Sequence, residues 1–337
     1  MEKKCGQVEF LKHNLIDRID ALASYELHNL EVKDGKLVVV NKAETGYVLS
    51  PVFKTREFPK LTASWVSQTP NKSLVELEIS VFVGEEQSKF FSYGKWALYG
   101  ENLYYDQDDE KVFMSVDEVI CKKGYVGNGF QYKVTLERDA ELSLVCVALK
   151  LNDYSYPVDA NFLPSTCIYD VPKLNQNMVP VIGHEMCSAT TTAMLLKFKG
   201  MSFKEYDAEF EHRYVASLVA DRGHNAPTFG NWVYNTIVMG AFGYTAYVAR
   251  MYSWEELKLH LAKVGPVGAS IKGDTGVYKT GGHLLVVVGY KEVDGKVYVV
   301  CNDPNINERF GEGLFVRYEF PLETFMNFWR GVAYVIE

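Results

Sequence analysis

Several features that define whole classes of protein are missing from this sequence. Its six cysteines form no C-x-x-C pair, which argues against a structural zinc site. Six cysteines in 337 residues are also too sparse for a disulfide framework. The glycine-rich phosphate loop, the dinucleotide fingerprint and G-x-S-x-G are absent as well. We therefore expect free thiols and a reducing compartment.

Positive charge is also scarce. The chain has 35 lysines and arginines against 43 acidic residues, a formal net charge of −8. This balance argues against nucleic acid or an anionic membrane as the main partner. No run reaches the ~18 apolar residues that a membrane-spanning helix requires. Lys3 and Lys4 are not followed by the apolar core of a secretory signal. We expect a cytoplasmic protein, or a secreted one if a native signal precedes this sequence.

Length and composition indicate two globular domains. The chain is 47% hydrophobic and 23% charged, which is typical of folded proteins, and 337 residues exceed one ordinary domain. The stretch 152–166 interrupts the surrounding strand pattern with Pro157 and Pro164. We place the linker there, and predict domains over residues 1–160 and 167–337.

Short β-rich runs dominate the first half. A helical spacing of Leu11, Leu15, Ile19 and Leu22 first predicts an amphipathic helix over residues 10–24. After it the apolar period becomes two, most clearly in VELEISVFV. Eight such runs follow one another: 37–40, 47–53, 62–67, 75–83, 91–100, 112–120, 130–137 and 142–151. They predict an antiparallel β-sandwich that is jelly-roll-like.

Aromatic and acidic residues of this half have two interpretations each. Aromatics on the surface of a sandwich could stack on a glycan, whereas buried aromatics would fill the core. The candidates are Trp65, Trp96, Tyr99, Tyr104 and Tyr105. The acidic run YYDQDDE at 104–110 could form a calcium loop, but it lacks the glycine and the final glutamate of the EF-hand pattern. A solvated acidic loop fits it better.

The stretch 176–200, QNMVPVIGHEMCSATTTAMLLKFKG, places one cysteine before an apolar helical run. The run predicts a helix that starts near Cys187 and ends near Gly200. A thiol at a helix N-terminus faces free backbone N–H groups and the positive end of the helix dipole, and both favour the nucleophilic thiolate. A simply buried cysteine is the other interpretation.

From Val171 the pattern becomes mixed α and β, as in an α+β domain. Helices are expected over 203–220, 232–243 and 253–265, the last with the capping-box pair Ser253 and Glu256, and strands over YTAYVAR and VGASIKG. HLLVVVGYKEV and KVYVVCND then predict a hairpin over 283–303 with its turn at Asp294–Gly295.

The ends of this hairpin carry the other candidate reactive residues. His283 begins the first strand and Asp303 ends the second, so antiparallel pairing brings them to the same end of the sheet. There the Asp303 carboxylate could accept the Nδ1–H bond of His283 and orient its ring. Gly281 and Gly282 would leave room for a substrate backbone.

At this point the sequence resembles a known family. Q-x(10)-C-S-A-T-T-T-A-M-L-L, G-G-H-L-L-V-V-V-G-Y and V-C-N-D-P are similar to motifs of the papain-like bacteriocin-processing cysteine peptidases and their stand-alone relatives. The resemblance covers Val171 to the C-terminus and implies a papain-like fold. It implies that Cys187 is the nucleophile, His283 the general base and acid, and Asp303 the orienting residue. The Gln176 side-chain amide and the Cys187 N–H would form the oxyanion hole.

The resemblance is strong in the second half and weaker elsewhere. The first half resembles the sandwich domain that precedes the peptidase domain in some stand-alone members. One departure lies at the thiol, where the family usually has glycine and proline and this chain has Ser188 and Ala189.

The expected function is hydrolysis of a peptide or amide bond by a thiol peptidase. A catalytically silent protein that binds a peptide or glycan is one alternative, and an amidase or acyltransferase with the same triad is another. Other residues are given structural roles. His184 is expected to be a loop residue, His212 and His224 to be solvated, and Trp232 to pack in the core or line a cleft.

Overall fold

The computed structural model describes residues 13–100, 102–152, 158–223 and 227–337. The chain forms two compact units. The first unit consists of Met1–Tyr154 together with Ala220–Arg250, and the second of Ser155–Val219 together with Met251–Glu337. Among the described residues, no helix is both long and apolar enough to cross a membrane.

The elements of both units are numbered along the chain. The strands are β1 (Asn14–Arg18), β2 (Glu26–His28), β3 (Leu30–Lys33), β4 (Lys36–Val39), β5 (Gly46–Leu49), β6 (Phe53–Phe58), β7 (Lys60–Gln68), β8 (Val75–Val83), β9 (Glu86–Gln87), β10 (Phe91–Trp96), β11 (Gln107–Asp108), β12 (Val112–Ser115), β13 (Glu118–Cys121), β14 (Gly127–Leu136), β15 (Glu141–Lys150), β16 (Thr166–Ile168), β17 (Ala246–Arg250), β18 (Val267–Asp274), β19 (Lys279–Val293), β20 (Lys296–Asn302), β21 (Arg317–Pro321) and β22 (Trp329–Ile336). The helices are α1 (Ile19–Leu22), α2 (Cys187–Phe198), α3 (Glu211–Val219), α4 (Trp232–Ala241), α5 (Trp254–Lys263) and α6 (Leu322–Phe328). Single 3₁₀ turns lie at Pro70–Lys72, Gln176–Met178, Gly183–Glu185 and Glu308–Phe310.

The first unit contains two antiparallel sheets, as the period-two runs predicted. One sheet has the order β11-β12-β13-β7-β15-β4-β3, with β1 also paired to β15. The other has the order β10-β8-β14-β5-β2, with β6 on β14 and β9 on β8. Alternate apolar residues of β8 are fully buried: Val75, Leu77, Ile79 and Val81. Trp65 of β7 lies edge-to-face against Tyr93 and Trp96 of β10, so the inner faces of the two sheets share one core.

The segment Ala220–Arg250 belongs to this first unit, although the predicted domain limits assign it to the second half. Helix α4 packs against β7, and β17 lies beside β15 and β7. The Trp232 N–H donates to Asp117 Oδ2 at 2.5 Å, and the Val248 N–H donates to Ser64 Oγ at 3.0 Å. Trp232 is buried, as core packing requires.

The predicted N-terminal helix over 10–24 is wrong for most of its length. Residues 10–12 lie outside the described part of the chain, and Asn14–Arg18 form strand β1, paired with β15 from Asn14↔Ala148 to Arg18↔Leu144. Only Ile19–Leu22 are helical. Leu15 and Asp17 are both buried, which is a strand period, and Asp17 Oδ2 accepts the Tyr132 hydroxyl at 2.5 Å. The leucine spacing is compatible with a helix, but backbone pairing with β15 determines the conformation of this segment.

Three of the aromatics considered for glycan stacking are buried. Trp65, Trp96 and Tyr104 are at most 1% exposed, so the core interpretation is correct for them. Tyr99 and Tyr105 are 55% and 60% exposed. The acidic run nearby is partly strand β11, and the described residues contain no group of three or more His, Cys, Asp or Glu side chains placed to hold a metal ion.

Two predicted elements have different limits in the structure. The run 112–120 is a hairpin, β12 and β13, instead of one strand, because the chain turns at Val116, which has φ +57°. The helix expected over 203–220 starts only at Glu211. Before it, Asp207 Oδ1 accepts the N–H groups of Glu209 and Phe210, a side-chain-to-backbone arrangement that competes with helix formation.

The second unit is built on one antiparallel sheet with neighbours in the order β22-β18-β19-β20-β21 and β16 on β19. Residues 283–290 of β19 are buried without interruption, which requires cover on both faces of the strand. Helix α2 packs on β18 and β19, α3 packs on α2, and α6 packs on β18 and β20. Ser253 caps α5 as predicted, its Oγ accepting the Glu256 N–H at 3.1 Å.

Helix α2 is the central helix of this unit. Every residue from Ser188 to Leu196 is buried, whereas Cys187, its first residue, is partly exposed. A helix that is buried all round lies inside a core, so its position is tightly fixed. Close approach to the sheet is permitted by Gly268 of β18, where an added Cβ would lie 3.0 Å from Thr191 Cγ2. This packing fixes where the thiol lies.

Candidate active site

Cys187 is the first residue of α2, as the sequence predicted. Burial alone raises the pKa of its thiol. The His283 charge, a hydrogen bond with His283, and the backbone N–H groups of Leu284 and Ser188 outweigh that effect, so the pKa lies below its usual value. The N–H of Ser188 belongs to the first turn of α2, where backbone donors have no partner within the helix. The site therefore favours thiolate.

His283 lies four residues inside β19 and is 6% exposed. Its Nε2 lies 2.7 Å from Asp303 Oδ1. The sequence predicts Nδ1 in this contact, and that prediction is wrong. Because Nε2 is engaged, Nδ1 is the nitrogen left for Cys187. Burial lowers the pKa of His283, but the charges of Asp303 and Cys187 outweigh it and raise the pKa to about 10.

Asp303 is fully buried directly after β20, and each of its carboxylate oxygens has a donor. Oδ1 accepts from His283 and from the backbone N–H of Asn305, the latter at 2.9 Å. Oδ2 accepts the hydroxyl of Tyr278 at 2.6 Å. Its own N–H donates to the Val316 carbonyl at 2.8 Å. The structure thus brings sulfur, imidazole and carboxylate together from α2, β19 and the end of β20.

Tyr278 was not identified from the sequence. It precedes β19, five residues before His283, and it is one of 22 tyrosines in the chain. Nothing in its local sequence distinguishes it from the others. Only the register of β19 and β20 brings its hydroxyl to Asp303.

Gln176 lies in the 3₁₀ turn Gln176–Met178 and is 3% exposed. Its Nε2 donates to the Gly183 carbonyl at 2.7 Å, which uses one of the two hydrogens of the amide. Gly183 must be glycine for this contact, because an added Cβ would lie 2.3 Å from the Gln176 carbonyl oxygen. The side-chain amide is therefore held in place by the loop that leads to Cys187.

Asparagines connect the Gln176 turn to the loop that follows Asp303. The Gln176 N–H donates to the Pro304 carbonyl at 2.9 Å, and Asn175 Nδ2 donates to the Ile306 carbonyl at 3.2 Å. Asn177 Nδ2 donates to the carbonyl of Asn305 at 3.2 Å. The repeated asparagines of NQN and NDPNIN are the signal in the sequence that corresponds to these contacts.

His212 also contacts the residues beside the Gln176 turn. It is buried, so the prediction that it is solvated is wrong. It is 5% exposed, and its Nε2 lies 3.3 Å from the Asn175 carbonyl oxygen. Burial is the main reason that the pKa of His212 is lowered. His184 is an exposed loop residue beside Glu185, as expected, and His224 lies outside the described residues.

Exposed residues lie close in sequence to the candidate site residues. Gly281 and Gly282 are exposed, and an added Cβ at either would meet no atom within 4 Å. Between Gln176 and Cys187, Met178 and Val181 are 60% and 88% exposed. Val181 has φ +69°, a strained backbone conformation for a β-branched residue.

The Ser188 departure fits the helix without distortion. Ser188 Oγ lies 2.7 Å from the Tyr334 hydroxyl, and both side chains are buried. The hydroxyl that replaces the family's usual glycine therefore has a partner. All the cysteines in the described part of the chain are free thiols, and Cys5 lies outside it.

Comparisons with known proteins identify the family of the chain. A family model described as Peptidase_C39 like family matches residues 168–336, half of the chain. A second, described as Peptidase C39 N-terminal domain, matches residues 23–149. A crystal structure of a candidate C39-like peptidase from Bacillus anthracis aligns with 51% of this chain and 98% of its own, at 17% identity and a TM-score of 0.35. The search of curated proteins found no match.

Proposed function

Because the chain belongs to the Peptidase_C39 like family, we propose that it is a cysteine peptidase with a papain-like second domain that hydrolyses a peptide or amide bond. The observation that carries this proposal is the contact series from Cys187 through His283 to Asp303. The lowered thiol pKa and the raised imidazole pKa are what a thiolate–imidazolium pair requires.

In the proposed mechanism, the Cys187 thiolate attacks the carbonyl carbon of the substrate. The C–S bond forms as the carbonyl π electrons move to oxygen. His283 Nδ1–H then gives its proton to the leaving amine as the C–N bond breaks, which leaves a thioester. Water, deprotonated by His283, then attacks the thioester carbonyl. The C–S bond breaks, and the thiolate–imidazolium pair of Cys187 and His283 is restored. Asp303 keeps the ring oriented throughout through Nε2.

The oxyanion would be stabilised by the Cys187 N–H and by the remaining hydrogen of Gln176 Nε2. This part of the proposal is supported by the fixed amide of Gln176, held by Gly183 and by the Pro304 loop. A preorganised donor of this kind contributes about 3–4 kcal/mol to transition-state stabilisation where one has been removed and measured. Exposed Met178 and Val181 make apolar substrate side chains the first to test.

Two measurements test the function. Purified protein is treated with iodoacetamide at pH 6, and each cysteine is quantified by peptide mass spectrometry. We expect Cys187 to react much faster than Cys301, whose buried thiol has a pKa well above the usual value. A peptide library is then incubated with the protein and with its Cys187→Ala variant, and cleavage is expected only with the first. A Cys187 as slow as Cys301 would exclude the activated thiol.

The same measurements distinguish the alternatives. Fast alkylation without cleavage of any peptide, but with hydrolysis of non-peptide amides or acyl transfer, would assign an amidase or acyltransferase. Slow alkylation together with peptide binding that survives Cys187→Ala would assign a binding protein. As a peptidase or as an amidase, the protein would act on an amide-bearing substrate, and no cofactor would take part.

A further inference from the structure

We infer that Tyr278 is a positioning residue for the proposed reaction: its hydroxyl fixes the Asp303 carboxylate, which then holds His283 toward Cys187. This inference rests on the proposed function. It extends the reactive series by one member, Cys187–His283–Asp303–Tyr278. Tyr278 does not contact the thiol in this assignment, and it acts through the carboxylate.

The two oxygens of Asp303 have separate partners. Oδ1 faces His283 Nε2 at 2.7 Å and accepts the Asn305 N–H at 2.9 Å, and Oδ2 accepts the Tyr278 hydroxyl at 2.6 Å. Rotation of the carboxylate about χ2 is otherwise soft, because this torsion has no sharp wells. Donors on both oxygens remove that freedom, and the Tyr278 hydroxyl is the donor on Oδ2. The hydroxyl also partners a fully buried anion, which would be costly to leave without a donor.

The Tyr278 ring is itself held in place on two sides. It lies edge-to-face to His283, with ring centroids 5.8 Å apart and an interplanar angle of 89°. It stacks on Phe310 at 5.3 Å. The turn before it is closed by Thr275, whose Oγ1 accepts the Tyr278 N–H at 3.0 Å. A tyrosine fixed by its backbone and both neighbouring rings can therefore position its hydroxyl reproducibly.

The phenol remains a donor over the working pH range. Burial, together with the Asp303 charge and hydrogen bond, raises the pKa of Tyr278 above its usual value. Removing the hydroxyl would leave Oδ2 as a buried acceptor without this donor. The carboxylate would then turn toward another donor, which weakens its hold on the His283 imidazolium. The thiolate paired with that imidazolium would be less favoured.

The test compares Tyr278→Phe with Tyr290→Phe. Tyr290 is a matched control, because it is a buried tyrosine of the same unit whose hydroxyl donates to the Pro164 carbonyl at 3.0 Å. The pH midpoint of Cys187 alkylation by iodoacetamide is measured for each, with kcat and KM for a cleaved peptide. For Tyr278→Phe we expect the midpoint to rise by about half to one pH unit and kcat to fall about tenfold, with KM within about twofold. Tyr290→Phe should leave all three unchanged.

The outcomes separate this inference from the proposed function. Ordinary reactivity of Cys187 in the unmodified protein would remove both. An activated Cys187 with the same midpoint and kcat in Tyr278→Phe would overturn only the role of Tyr278. If Tyr278→Phe fails to fold, 3-fluorotyrosine at position 278 keeps the ring and provides a stronger donor. The alkylation midpoint should then fall, and an unchanged midpoint would count against the inference.

Discussion

Each unit contains a buried charged cluster, and only the cluster in the second unit leads to a candidate nucleophile. In the first unit Glu118 binds Arg250 through one carboxylate oxygen and Lys60 through the other, the latter at 2.5 Å. These side chains are 4–17% exposed, and the one carboxylate pairs with both cations. In the second unit the series from Asp303 to His283 ends at Cys187, a residue that is partly exposed. Burial and charge alone therefore do not identify a site, and a partly exposed nucleophilic residue at the end of the series does.

The largest expected effect comes from removing the imidazole. His283→Ala takes away both the counter-charge of the thiolate and the proton donor for the leaving amine. We expect kcat/KM for a cleaved peptide to fall at least about 10³-fold. Alkylation of Cys187 at pH 6 should fall about 10²-fold, since a thiol of ordinary pKa is only about 0.3% ionised there. Unchanged alkylation would mean that the helix alone activates the thiol.

In the first unit, breaking the charged cluster should cost stability instead of reactivity. Glu118→Ala leaves Arg250 and Lys60 buried without their carboxylate, which costs about 3–5 kcal/mol in comparable pairs. Urea unfolding followed by tryptophan fluorescence measures the loss. Glu86→Ala is the control, because the exposed Glu86–Lys111 pair should change the midpoint little. Equal effects of the two variants would contradict the comparison.

The pH dependence should show two separate limits. As pH falls below the lowered Cys187 pKa, the thiolate gains a proton, so both alkylation and hydrolysis should drop about tenfold per unit. As pH rises past the His283 pKa of about 10, the imidazolium loses its proton. Hydrolysis should then decline while alkylation, which needs only thiolate, should not. An alkylation midpoint at or above the ordinary value of about 8.5 would contradict the paired state.

The smallest effect is expected beside the thiol. Ser188→Gly removes the bond to Tyr334 and places glycine in α2, which together should cost about 1–2 kcal/mol. The alkylation midpoint of Cys187 should not change, because the Ser188 hydroxyl faces Tyr334. Thermal unfolding measures the loss of stability, and the pH profile of alkylation in the same preparation measures the midpoint. A shifted midpoint would show that Ser188 acts on the thiol.

The sequence predicted most of the sheets because their residues alternate in agreement with their burial. In β8, the apolar positions that define the period are the buried ones. Prediction failed where long-range pairing decided the conformation. The leucine spacing of residues 10–24 is compatible with a helix, and only the partner strand β15 makes 14–18 a strand. The late start of α3 has a local cause instead, because the Asp207 side chain accepts the Phe210 N–H and competes with helix formation.

The candidate site was predicted residue by residue but not atom by atom. Cys187, His283 and Asp303 stand out because reactive residue types occur at a helix start and on one hairpin. The choice of Nε2 over Nδ1 depends on the ring rotamer, which spacing does not encode. Tyr278 and His212 have no local signal, since their partners lie 25 and 37 residues away in the sequence. Their contacts depend on the three-dimensional fold.

The membership of Ala220–Arg250 in the first unit constrains the order in which the molecule can be made. During synthesis, domains generally fold as units from the N-terminal end. Here the first unit lacks α4 and β17 until residue 250 has left the ribosome, by which time the segment carrying Cys187 has already emerged. The first unit must therefore wait for a helix and a strand that are encoded beyond the nucleophile.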